Sequence, residues 1–172
     1  TRLLRFWPAG ATRVLLQAQL SHRTPALLLR QDDGSYRRLM ATGDTPPGVG
    51  AAKLKTINAV EADPVTGHYA VLGTLSGAPA AANQALWSGN AALGDESAAG
   101  SVYRLPVLRL RKGQTYRTES TPQSVLRGIS LRPAVDTSGA GGRGLAQVVG
   151  SSGAIGLVLT GDRKLSEVVV LK

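Results

Sequence analysis

The sequence predicts an all-β protein, propeller-like or built as a related β-repeat array of about three degenerate units. Three observations lead there. Apolar residues come in short runs and rarely recur at helical spacing. Gly, Pro, Asp and Ser punctuate those runs, with 21 Gly and 9 Pro in 172 residues. Several segments also align with one another along the chain.

The elements follow in order. Val14 to Leu20 reads V-L-L-Q-A-Q-L, a half-buried strand, and Ala26 to Arg30 is the next. Asp32-Asp33-Gly34 between that strand and Tyr36–Ala41 is a hairpin turn, because Gly accepts the positive φ a tight turn needs. Thr45-Pro46-Pro47-Gly48 is a loop, since two prolines fix φ and remove donors. Ala51–Ala62 is ambiguous: propensity allows a helix, with Leu54, Ile57 and Val60 three apart, and either reading leaves the series of short strands intact. Tyr69–Leu75 is a strand, and the Ala-rich stretch Pro79–Trp87 has room for one helical turn before Ala85-Leu86-Trp87.

Val102–Arg111 reads as a long extended segment. Strict alternation puts Leu108 and Leu110 on one face, with Arg109 and Arg111 on the other. Lys112-Gly113 turns the chain, and Gln114–Thr118 returns. Leu145–Val149, Ile155–Leu159 and Leu165–Leu171 complete the series, the last two joined by a turn at Thr160–Arg163.

The repeat is read from glycines. Gly10, Gly67 and Gly139 each precede a strand, at spacings of 57 and 72 residues, and Gly-Asp pairs follow at Gly43-Asp44, Gly94-Asp95 and Gly161-Asp162. The chain is then one β-rich domain, 1–172, with units 10–66, 67–138 and 139–172. A β-sandwich, in which the apparent repeat is two packed sheets, is the alternative architecture. Closed propellers usually have at least about four blades. Three units therefore predict edge strands covered by a partner chain, by self-association or by further repeats, with 1–20 and 163–172 the segments expected to pair.

M-A-T-G-D-T-P-P-G-V (Met40–Val49), then P-V-T-G-H-Y-A-V-L-G-T-L-S-G (Pro64–Gly77) and A-N-Q-A-L-W (Ala82–Trp87), resemble the bacterial tandem repeat written NxxGxxAF. Gly43, Asp44, Gly48, Gly67, Ala70 and Trp87 carry the resemblance, best over residues 26–90. The Asn position of the motif falls on Pro64, and its Phe position on Val71. The resemblance implies an exported, surface-anchored β-repeat, propeller-like, without an established enzymatic activity. It places the protein outside the cell or on its surface, although no signal segment is visible in this chain.

The charge is +9, carried by 15 Arg and 5 Lys against 11 acids. Two stretches, 1–31 and 97–118, are basic, and 97–118 has Glu119 only at its border. Arg104, Arg109, Arg111, Lys112 and Arg117, with Arg143 in a glycine-rich loop, are the candidate contacts for an acidic polysaccharide or another polyanion. Tyr103 and Tyr116 flank this segment. Nucleic acid is the less favoured partner, because no recognition helix or ribonucleoprotein signature accompanies the charge.

Other chemistry finds little footing. Absence of Cys excludes disulfides and thiolate zinc sites. No apolar run reaches the roughly 18 residues of a spanning helix, so no membrane insertion is expected. Gly139-Ala-Gly141-Gly-Arg-Gly144 matches G-x-G-x-x-G, but the helix a dinucleotide needs does not follow. The only histidines are His22 and His68, and Asp32, Asp33, Asp44, Asp63, Asp95 and Asp162 sit beside Gly or Pro as turn residues do. No catalytic residue, metal ligand or cofactor is assigned. The expected function is a non-enzymatic structural or binding module. Polyanion binding is the first alternative and a carbohydrate-active enzyme fragment the second.

Overall fold

The computed structural model describes residues 2–92, 106–119, 121, 123–131, 148–162 and 166–172. It is all-β. The first sheet is a four-stranded antiparallel meander of β1 (Arg2–Pro8), β2 (Val14–Gln19), β3 (Pro25–Arg30) and β4 (Tyr36–Ala41), paired in chain order. The second repeats it with β5 (Lys53–Ala62), β6 (His68–Ser76), β7 (Gln84–Asn90) and β8 (Val107–Arg111). A short ladder of β9 (Thr115–Tyr116) and β10 (Ser124–Val125) leads to the third sheet of β11 (Gly128–Ser130), β12 (Ile155–Thr160) and β13 (Ser166–Leu171). Two three-residue 3-10 turns, Ser21–Arg23 and Ala80–Ala82, complete the described elements.

The three sheets stack in series around two cores, not one. Leu15, Leu27, Leu29 and Met40 of the first sheet pack against Leu54, Val60, Val71 and Trp87 of the second. On its other side, the second sheet presents Ala70, Leu72, Leu86 and Leu110 to Ile129, Ile155, Leu157 and Leu159 of the third. Strand β6 is thus covered on both faces. Its sequence Y-A-V-L-G-T-L is accordingly a nearly continuous apolar run, whereas half-buried β2 carries Gln17 and Gln19 among its apolar residues.

The ambiguous segment Ala51–Ala62 is resolved as a strand, the ten residues Lys53–Ala62. Its three-residue apolar spacing has a different cause. The β5–β6 register slips between Leu54 and Thr56 and again between Ile57 and Ala59. Each bulge adds one residue, so Leu54, Ile57 and Val60 all face the first core. A bulge also overturns the alternation expected in β8. Leu110 opposes Leu86 but Leu108 opposes Trp87, leaving Arg109 as the extra residue. Leu108 therefore packs on the first core and Leu110 in the second.

Successive sheets are joined by the same hydrogen-bond clamp. After β4, the Gly43 N–H donates to the Leu54 carbonyl (2.8 Å) and the Leu54 N–H donates to the Asp44 carbonyl (2.8 Å). The Asp44 carboxylate also accepts the Ala41 N–H at 2.9 Å. After β8, Gly113 and Gln114 make the corresponding bonds with Leu126 at 2.7 and 2.9 Å. Here the Gln114 side-chain oxygen accepts the Arg111 N–H at 2.8 Å. Both glycines have φ of 92°, which only Gly adopts readily.

The structural partner of Gly43-Asp44 is therefore Gly113-Gln114. Gly94-Asp95 lies outside the described residues, and Gly161-Asp162 joins β12 to β13 inside the third sheet. Gly10 and Gly67 do occupy matching first hairpins. Gly139 lies outside the described residues, and Gly153, with φ of 80°, sits in the third such hairpin.

Candidate functional site

Apart from Ala70, the residues carrying the repeat resemblance stand at or beside the junction between the first two sheets. Trp87 is fully buried, and its indole N–H donates to the Pro47 carbonyl at 3.0 Å. Gly48 and Gly73 leave room around it. A Cβ on Gly48 would lie 2.8 Å from Leu108, and one on Gly73 would lie 3.2 Å from the Trp87 ring. Ala70 is fully buried in the second core. Gly67 lets the β5–β6 hairpin approach its neighbours, because a Cβ there would meet the Ala92 nitrogen at 2.8 Å. Asp63 caps that hairpin, accepting the Val65 N–H at 2.7 Å and the Thr66 N–H at 3.0 Å.

The candidate basic residues are not brought together as one free face among the described residues. Arg109 donates to the backbone carbonyl of Lys172. Arg111 donates to the carbonyls of Ala82 (3.1 Å) and Val49 (3.4 Å), tying β8 to the loops around it. Lys112 occupies the turn after β8, and Arg117 is exposed. Arg104, Arg143 and Tyr103, with the glycine-rich motif 139–144, lie outside the described residues.

Arg117 lines a cleft of about 500 Å³ beside β13 together with Leu110, Tyr116, Glu119, Glu167 and Leu171. The Glu167 carboxylate accepts hydrogen bonds from the Thr118 hydroxyl at 2.7 Å and from the Thr121 hydroxyl. Sequence reasoning missed this cleft, because its walls come from segments some 50 residues apart and share no motif. Among the described residues, no group of three or more His, Asp or Glu is placed to hold a metal ion. His68 bonds Asn90 at 3.3 Å, and the side chain of His22 lies outside the described set.

Electrostatics outside the cleft is local. Hydrogen bonds from Arg13 and Thr12 hold the Asp32 carboxyl down at about 2. The Asp33 carboxyl is lowered by Ser35, as an Asp that closes its own turn. Burial raises the Glu61 carboxyl, partly offset by Arg5. Burial also raises the Tyr69 hydroxyl.

Several large apolar side chains are exposed on the end sheets. Phe6 is 64% exposed on the outer side of the first sheet, and Val168 is 83% exposed on the outer side of the third. No described helix is long and apolar enough to cross a membrane.

Fold and surfaces together define a serial β-meander protein in which, among the described residues, each end sheet packs against a neighbouring sheet on one face only. No family model, no curated protein and no solved structure matches this chain.

Proposed function

We propose that the chain is a non-enzymatic β-repeat module of blade-like sheets, exported or displayed at a cell surface as part of a larger assembly. One observation carries this reading: the clamp Gly43-Asp44/Leu54 recurs as Gly113-Gln114/Leu126. A chain that rebuilds one junction between successive sheets is organised to stack sheets. The NxxGxxAF-type residues support the same reading, since Gly48 and Trp87 serve that junction.

The test is surface labelling and fractionation of the producing cell. Label on the intact cell is the expected result; recovery only from the cytoplasm overturns the exported reading. Turnover of a glycoside or ester substrate that is lost on Glu167→Gln would overturn the non-enzymatic one.

A second reading, binding of an acidic polysaccharide, rests on the exposed Arg2, Arg5, Arg23, Arg30 and Arg38 around the first sheet. Retention of the protein on a heparin-type resin above physiological salt tests it, and elution below that point rejects it.

A further inference from the structure

The outer faces of the first and third sheets correspond, row by row, to faces that are buried in the second. In the second sheet Val60, Val71 and Trp87 stand side by side across β5, β6 and β7 and are buried against the first sheet. In the first sheet the same row is Phe6, Leu16 and Leu28 across β1, β2 and β3. None of these three belongs to either core; Phe6 is exposed, and Leu16 and Leu28 are half-buried.

At the other end, Leu72 and Leu86 of β6 and β7 are buried against the third sheet. Their counterparts on β12 and β13 are Val158 and Val168, on the open side. Six of the seven exposed large apolar side chains among the described residues belong to these end sheets: Leu3, Leu4, Phe6, Tyr36, Val168 and Val170. The seventh, Val65, is in a loop.

We infer that a second copy of this chain docks head to tail, the outer face of its first sheet on the outer face of the third. The occupant follows from the repeat. The chain twice packs a Leu27- or Leu86-bearing face against the next sheet, and its two open faces are the unmatched halves of that junction. Each copy then offers what the other lacks. Two copies joined at both ends form a ring of six sheets, inside the range of about four to eight that closed blade arrays use. This assembly rests on the blade-like module reading. It is driven by apolar burial and opposed by the +9 charge of each copy, so added salt strengthens it.

Sedimentation of the full chain tests the inference, with Phe6→Asp and Val168→Asp as variants. Both positions are exposed, and circular dichroism verifies that each variant folds. The wild type is expected at twice the 17.8 kDa of one chain, with the two-chain fraction rising with salt. Each variant alone weakens association by about thirtyfold or more, as loss of a central anchor does. Mixing the two variants restores a two-chain particle, because one intact junction remains.

A wild type that stays single at every concentration and salt overturns the inference. So does a Val168→Asp protein that still dimerises while Phe6→Asp does not, which would mean two first sheets meeting. A mixture that stays single, or particles that grow beyond two chains, overturns the closed ring. A monomer leaves the module reading standing, and enzymatic turnover would remove that reading while leaving a dimer intact.

Discussion

Trp87 on β7 reaches back across the first junction to the Pro47 carbonyl, 3.0 Å from its indole nitrogen. Pro47 lies in the connection between the first two sheets, so one side chain both fills the core and fixes the linker. Trp87→Ala removes a wholly buried ring and is expected to cost about 3–5 kcal/mol by urea unfolding. Trp87→Phe keeps part of the ring and loses the hydrogen bond, for about 1–2 kcal/mol. Equal losses for the two substitutions would show that packing contributes little here.

The clamp predicts a pair of small and separable effects. Asp44→Ala and Gln114→Ala each remove one side-chain acceptor from a backbone N–H, at 2.9 and 2.8 Å. Each should cost about 1 kcal/mol. They belong to different junctions, so the double variant should show the sum within about 0.5 kcal/mol. A Gln114→Ala protein as stable as the wild type would break the equivalence of the two clamps.

That equivalence was hidden in the sequence, for a physical reason. The clamp needs a Gly at positive φ and then a side-chain oxygen that reaches back three residues, which Asp and Gln both supply. A search for Gly-Asp finds Gly43-Asp44 and Gly161-Asp162 but passes over Gly113-Gln114. Bulges hid more. They gave β5 a helix-like apolar spacing and split Leu108 from Leu110. The strands β2, β3 and β6 were legible because their runs carry no bulge between apolar neighbours on the same face. The alignment of Ala26-Leu27-Leu28 with Ala85-Leu86-Trp87 also survives, since Leu27 and Leu86 both face the following sheet. The open end faces were not legible, because nothing in V-V-V or R-F-W marks which side of a strand is covered.

Two glycines with similar φ separate conformational cost from crowding. Gly50 (φ 67°) has nothing within 4 Å of an added Cβ, whereas at Gly67 (φ 75°) that atom would sit 2.8 Å from the Ala92 nitrogen. Gly50→Ala should cost about 1–2 kcal/mol, the left-handed penalty alone. Gly67→Ala adds a clash with backbone and should exceed about 3 kcal/mol. Thermal melts of the two variants check the order.

Asp32 predicts an acid-side effect. Its carboxyl is held at about 2, below the ordinary 3.8, by hydrogen bonds from Arg13 and Thr12. A carboxyl lowered in the folded state contributes stability that is present above pH 3.8. That contribution is lost as the pH falls through about 2. Arg13→Gln should bring the Asp32 titration, followed by NMR, back towards 3.8 and flatten the stability slope in that window. An unchanged midpoint would place the cause elsewhere.

Arg111 and Arg117 separate a structural arginine from a solvent-facing one. Arg111 serves the Ala82 and Val49 carbonyls, and Arg117 is exposed at the cleft. Hydrogen bonds from a charged donor contribute about 1.5–3 kcal/mol, and replacing Arg111 leaves both carbonyls without it. Arg111→Ala should therefore lower the melting temperature with little change in heparin-resin elution, measured where the variant is fully folded. Arg117→Ala should leave the melting temperature unchanged within error. If Arg111→Ala instead elutes at markedly lower salt with an unchanged melt, its guanidinium spends its charge on a polyanion, and the carbonyl contacts are incidental to the fold.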